Sequence, residues 1–230
     1  LAGLRHPGIV RHIAHGQVDG AMFLAMEWLE GESLAERLAR SLLGVAESLT
    51  LVSRAAEVLA AVHVCGVVHR DIKPGNLFLV EGDVRRLKLI DFGIAHLVDP
   101  VHIRTRTGML LGTPGYVSPE QARATRKIDG RADVFSLGCV LYKCLTGQHA
   151  FPGKTLPEVL TKVQLEEAPR AGSARSDVPP DLDVLLAHML RKDPAARPDG
   201  AAIVSAIAAM NLGELGPSGG AVTSSTPSLG

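Results

Sequence analysis

Residues 132–145, ADVFSLGCVLYKCL, are apolar almost all round, and no other stretch restricts the fold of this chain as much. Read as a helix, this segment has no face to give to water, so other elements must cover it on every side. Candidates to do so follow it. Helical spacing is expected over 156–166, 182–191 and 201–210, the last two separated by Asp193-Pro194 and Arg197-Pro198. Another core helix precedes it, with Leu49, Val52, Ala56, Leu59, Ala60 and His63 at three- and four-residue spacing, Ser48 and Thr50 near its start and Gly66 near its end. Short strands are expected at Ile9-Val10 and at 22–26. Two more, 77–80 and 87–90, are joined by the turn-forming Glu81-Gly82-Asp83. Between 91 and 120 the breakers Gly93, Pro100, Gly108, Gly112, Pro114, Gly115 and Pro119 predict a long loop. The fold class is α+β, strands first and then mainly helices.

Composition narrows the function classes. With 46% hydrophobic residues in 230, the chain has enough apolar surface for a sizeable core, which excludes disorder for the whole. The 24 basic and 24 acidic residues cancel, so the positive field that draws in nucleic acid or an anionic membrane is missing and neither partner is expected. No apolar run reaches the roughly 18 residues of a membrane span, and no signal peptide opens the chain, so a cytoplasmic segment is expected. Cys65, Cys139 and Cys144 are too few and too irregular for a disulfide framework or zinc site and read as small buried hydrophobes. The histidines outside the motif below, His63 among them, show no ligand spacing and are given no chemistry. After Leu212 the Gly/Ser/Thr/Pro composition is that of a flexible linker, and its Ser224, Ser225 and Thr226 read as linker residues. The first residue is Leu1, in what reads as the middle of a structure, so a preceding segment is expected.

Chemistry concentrates in His69-Arg70-Asp71-Ile72-Lys73-Pro74-Gly75-Asn76 and in Asp91-Phe92-Gly93, at the ends of the two central strands. Two carboxylates and an amide oxygen are the hard ligands that Mg²⁺ takes when it also binds substrate phosphates. A lysine beside them can neutralise a transferring phosphoryl group. Alone, the tripeptide His69-Arg70-Asp71 reads more readily as a capped helix end; together the two segments carry a more specific pattern.

That pattern resembles the catalytic core of a bacterial eukaryotic-like (Hanks-type) serine/threonine protein kinase, a two-lobed fold, over Leu1 to about Met210. The loop matches H-R-D-x-K-x-x-N, Asp91-Phe92-Gly93 matches D-F-G, and Ser118-Pro119-Glu120 stands where the family usually has A-P-E. The resemblance implies that Asp71 orients the substrate hydroxyl and accepts its proton, that Asn76 and Asp91 hold the metal, and that Lys73 stabilises charge on the γ-phosphate. It implies ATP as nucleotide, Mg²⁺ (or Mn²⁺) as metal, and protein Ser/Thr hydroxyls as acceptors. Thr113 would shape the acceptor pocket. Met26 would stand as gatekeeper before a hinge in which backbone groups of Glu27 and Leu29 meet adenine, with Phe78 as the pocket floor. His69 and Phe92 would belong to a hydrophobic spine, with Leu1 and His12 near two further positions of it. Glu120 and Arg197 would form a buried ion pair, and Asp133 would tie its helix to the catalytic-loop backbone. Thr105 and Thr107, flanked by Arg104 and Arg106, are expected phosphorylation sites that Arg70 would order.

The resemblance divides the chain into the end of an N-terminal lobe with the hinge (1–29), a helical C-terminal lobe (30–212) and a linker tail (213–230). The family's Gly-rich loop, strand lysine and helix glutamate have no counterpart from Leu1 onward, so the segment is expected to be a fragment with little activity alone. Two readings compete with a working kinase: a pseudokinase scaffold that binds partners without transfer, and a small-molecule kinase. The second is disfavoured by the Gly112-Thr113 and Ser118-Pro119-Glu120 patterns.

Overall fold

The computed structural model describes residues 6–92, 114–125 and 127–210. Gly93, Thr105, Thr107, Thr113, Leu1 and the tail 213–230 lie outside the described residues. In chain order the elements are β1 (His12–Val18), β2 (Ala21–Met26), β3 (Gly31–Ser33), α1 (Leu34–Arg40), α2 (Val45–Val64), β4 (Leu77–Val80) and β5 (Leu87–Leu89). Then come α3 (Pro119–Ala122), α4 (Arg131–Thr146), α5 (Leu156–Leu165), α6 (Ala171–Ala174), α7 (Pro180–Met189) and α8 (Gly200–Ala209).

Helix α4 is the apolar stretch, and every residue from Ala132 to Leu145 except Lys143 is buried. It ends where Gly147, at φ +74°, takes the left-handed conformation and donates its N–H to the Lys143 carbonyl. Helices α2 and α7 pack on it, and α8 lies against α2. The α2–α8 approach requires Gly200: a Cβ there would stand 2.6 Å from the Ala56 carbonyl oxygen. Phe135 of α4 stacks parallel to Phe151 at 5.8 Å, filling the space toward the chain that follows α7.

The strands form two small antiparallel sheets, β1-β2 and β3-β4-β5. In the second, Phe78 of β4 stands between Ser33 and Lys88. The chain before β1 ties the two sheets together. Val10 donates its N–H to the Leu89 carbonyl at 3.0 Å, and Leu89 returns one to Gly8 at 2.8 Å.

Several expectations need correction. Helix α2 starts at Val45, because Glu47 accepts the Gly44 N–H at 3.0 Å and closes the first turn; Ser48 and Thr50 lie inside it, their hydroxyls on the Gly44 and Ala46 carbonyls at 2.9 Å. The loop expected over 91–120 is regular at its end, where the 3₁₀ turn Pro114–Tyr116 leads into α3. The expected departure Ser118 is the N-cap of α3: its hydroxyl accepts the Gln121 N–H at 3.3 Å, and Gln121 accepts the Ser118 N–H at 3.1 Å. Cys65 is exposed, at the C-cap of α2, whereas Cys139 and Cys144 are buried and their thiols are pushed up to about 12 by burial. No helix among the described residues is long and apolar enough to cross a membrane.

Candidate active site

The segment from His69 to Asn76 crosses from α2 to β4, and its two end residues, His69 and Asn76, are buried. On it, Lys73 Nζ donates to Asp71 Oδ2 at 2.7 Å, and Asn76 Nδ2 donates to the same oxygen at 2.8 Å. Asn76 Nδ2 also donates to the Asp71 carbonyl at 2.8 Å. Asn76 is buried, and because its amide nitrogen is spent on Asp71, its amide oxygen is the end left for a ligand. Asp71 keeps 40% of its side chain exposed, with Oδ1 free of any side-chain donor among the described residues.

Asp91 follows β5. Ile90 donates its N–H to the Asn76 carbonyl at 3.0 Å, so the backbone of Asp91 leaves β5 beside Asn76. Asp91 has φ +54° and is exposed, and Arg70 has φ +66°. Left-handed backbone at a non-glycine residue costs about 1–3 kcal/mol and persists only where neighbours hold it. For Arg70 the holders are visible. Its N–H donates to Asp133 Oδ1 at 2.8 Å, and its carbonyl accepts from Gln121 Nε2 at 2.8 Å.

His69 is fully buried and works through both ring nitrogens. Nε2 donates to the Ile90 carbonyl at 3.0 Å, and Nδ1 accepts the Asp71 N–H at 3.3 Å. That pair of contacts needs the neutral ring, in agreement with burial holding its pKa below the ordinary histidine value. The ring packs on Phe92 with centroids 4.5 Å apart. His69 is thus a brace between the His69–Asn76 segment and Ile90, just after β5.

Two buried carboxylates anchor this frame to the helical lobe. Asp133, at the start of α4, accepts the N–H of His69 at 2.8 Å in addition to that of Arg70. Glu120 of α3 receives both terminal nitrogens of Arg197, at 2.7 and 2.9 Å, in a bidentate pair. The remaining Arg197 donors go to the carbonyls of Arg191, Arg131 and Lys192.

At the hinge, β2 ends at Met26, which stands 36% exposed. The Glu27 N–H donates to the Arg11 carbonyl at 2.9 Å, so of the two backbone groups of Glu27 only its carbonyl remains for a ligand. The Glu27 carboxylate accepts from Lys88 and from the Arg11 N–H, which holds its pKa below the ordinary value; the hydrogen bond from Lys88 is the largest cause. Leu29, just before β3, and Phe78, on β4 opposite Ser33, are both half-buried.

Two members of the frame are absent from the residues expected from sequence. Gln121 had a legible signal in the Ser118-x-x-Gln121 spacing of a capping box, though not in its second role on Arg70. His63, expected to do nothing, places Nε2 2.8 Å from Asp133 Oδ2. It comes from α2, 70 residues away in the chain, so no local pattern carries it.

Comparison with known proteins identifies the family. The family described as protein kinase domain matches residues 1–207. The serine/threonine-protein kinase pkn3 of Myxococcus xanthus is 36% identical over 210 residues, covering 86% of this chain and 38% of its own length. The serine/threonine-protein kinase drp72 of Corynebacterium efficiens is 40% identical over 197 residues, covering 85% of this chain and 36% of its own. The chain therefore spans little more than a third of the length of these relatives. Among solved structures, a point mutant of the kinase domain of Mycobacterium tuberculosis PknI superposes with a TM-score of 0.68 at 26% identity, over 90% of this chain and 72% of that one. With a family match over nearly its whole described length and relatives 36% and 40% identical, the chain belongs to the protein kinase domain family.

Proposed function

We propose that this chain is the catalytic segment of a serine/threonine protein kinase that transfers the γ-phosphoryl group of Mg-ATP to Ser or Thr hydroxyls of proteins. The observation that carries the reading is the convergence of Lys73 and Asn76 on one oxygen of Asp71, which leaves the other oxygen for a substrate. The donor set suits Mg²⁺: an exposed carboxylate at Asp91 and the amide oxygen of Asn76, whose nitrogen is spent on Asp71, are hard ligands. Bound Mg-ATP supplies the transferable group and the cations that neutralise its charge.

The chain's own residues would then divide the work. Asp71 Oδ1 accepts the proton of the substrate hydroxyl and aims its oxygen in line. Lys73, held at Oδ2, keeps a positive charge beside the phosphoryl group as negative charge builds on it. Asn76 and Asp91 hold the metal, and Thr113 would select the hydroxyl acceptor. The hinge would receive adenine through the Glu27 carbonyl and the Leu29 backbone, between Met26 and Phe78. Arg70 would receive a phosphate on Thr105 or Thr107. We assign 1–29 to the end of the N-terminal lobe and hinge, 30–212 to the C-terminal lobe and 213–230 to a linker, and place this segment in the cytoplasm, whether or not the full-length protein is anchored to a membrane.

The test is transfer from labelled ATP with Mg²⁺ (or Mn²⁺) by the full-length protein that contains this chain. Incorporation into Ser or Thr of a protein acceptor, lost in Asp91→Asn, supports the reading. Transfer that survives Asp91→Asn overturns the reading of Asp91 as a metal holder, and no transfer by a folded full-length protein favours a partner-binding scaffold.

A further inference from the structure

The histidines of β1 suggest a site unrelated to phosphoryl transfer. In a regular strand, residues three apart face opposite sides, yet His12 and His15 lie side by side. The cause is a β-bulge. His12 pairs with Met26, but the next partner of Ala25 is Ala14, so Ile13 is an extra residue and the alternation slips by one. His12 and His15, opposite Met26 and Leu24, therefore share a face. His12 Nε2 and His15 Nδ1 stand 3.1 Å apart, with ring centroids at 5.0 Å and planes at 46°.

We propose that the bulge builds a two-histidine chelating site for a late first-row divalent cation, Cu²⁺, Ni²⁺ or Zn²⁺. The separation fits. Two metal–nitrogen bonds of about 2.05 Å meeting at 90–110° span roughly 2.9–3.4 Å between the nitrogens, from square to tetrahedral angles. The observed 3.1 Å falls inside that window. A hydrogen bond between two neutral imidazoles accounts for the same distance, and a turn of each lone pair by about 40° off the N···N line, with a tautomer change, aims both at one ion. His15 is exposed and His12 half-buried, so water can fill the remaining coordination positions. The chemistry differs from that of Asn76 and Asp91: imidazole suits copper, nickel and zinc, whereas Mg²⁺ prefers oxygen.

The site is tested by titrating the 230-residue chain with each metal salt, following heat and the imidazole proton resonances. A Cys65→Ser background removes the exposed thiol as a competing ligand. One equivalent of Cu²⁺ should bind, with Ni²⁺ and Zn²⁺ weaker and Mg²⁺ without effect on His12 and His15. His12→Ala and His15→Ala should each weaken Cu²⁺ binding at least about tenfold, while His188→Ala on α7 leaves it unchanged. His15 is exposed on its strand, so its substitution tests the site without threatening the fold. Failure of Cu²⁺ to bind at millimolar concentration, or binding that survives either β1 substitution, overturns the proposal. Neither result bears on the kinase reading, which rests on other residues.

Discussion

Asp133 accepts the backbone N–H of Arg70 at 2.8 Å, and Arg70 is in the left-handed region at φ +66°. The strained residue is thus one that α4 holds from 63 positions away in sequence. The same carboxylate takes the His69 N–H and faces the His63 imidazole, so three groups from two segments converge on one buried side chain. Through it, the packing of the central helix sets where Asp71 points.

Removing that carboxylate should be costly. Asp133→Ala strands two N–H groups of the catalytic loop, at about 1–3 kcal/mol each, while relaxation of Arg70 returns part of this. Urea denaturation should show a loss of roughly 2–5 kcal/mol, with Asp133→Asn, which keeps one good acceptor, in between. A loss below about 1 kcal/mol would mean that the loop does not depend on the clamp.

The Glu120–Arg197 pair predicts an asymmetry. Arg197 has no exposed side-chain surface, so Glu120→Ala leaves a buried guanidinium without its counter-charge and should cost about 3–5 kcal/mol. Replacing both partners by apolar residues of similar volume should cost less than the sum of the single changes, because no lone charge remains. Arg197→Lys should also fail to rescue, since a lysine cannot give the two parallel hydrogen bonds and the three carbonyl contacts together. Thermal melting of the single and double variants, as a cycle, measures this coupling.

In the full-length protein, the division of labour on Asp71 makes separable kinetic predictions. Asp71→Asn removes the proton acceptor and should lower kcat by about 10²–10⁴. Lys73→Met leaves the base but removes the charge, and should lower kcat by about 10²–10³ with little change in nucleotide KM. Steady-state assays over a range of Mg-ATP concentrations read both kcat and KM for each variant. Equal activity in wild type and Lys73→Met would remove Lys73 from the chemistry.

How much was legible in sequence depends on whether the cause is local. Helix α4 announced itself because burial on every side leaves an apolar record in consecutive residues, and the β4–β5 hairpin because its turn residues are local. Strand β1 left no such record: His12, His15 and Gln17 are polar and Ile13 and Val18 are exposed, so the strand is held by pairing with β2 and by the chain's attachment to β5. At the site, the residues Asp71, Lys73, Asn76 and Asp91 were readable as a pattern. What braces them was not. The His63–Asp133 and Gln121–Arg70 contacts join segments 70 and 51 residues apart, and only the fold brings them together.

Lys192 makes the last prediction. Its amine lies 3.9 Å over the Phe151 ring and has no hydrogen-bond partner among the described residues, and burial lowers its pKa to about 8. It faces Cys139 of α4, Glu166 and Glu167 after α5, and Arg197; the first three favour the charged form and Arg197 opposes it. A lysine whose pKa is lower when folded binds its proton more readily in the unfolded chain, so its contribution to stability rises as pH goes from about 8 to about 10.5. The buried thiols of Cys139 and Cys144 act oppositely: their folded values near 12 lie above the ordinary 9.0, so they favour unfolding as pH climbs past 9.0. The difference between wild type and Lys192→Met isolates the lysine. Wild type should gain stability relative to Lys192→Met across pH 8–10.5, as read from urea midpoints at each pH. A difference that stays flat or falls over that range would show that the rings of Phe135 and Phe151 hold Lys192 charged.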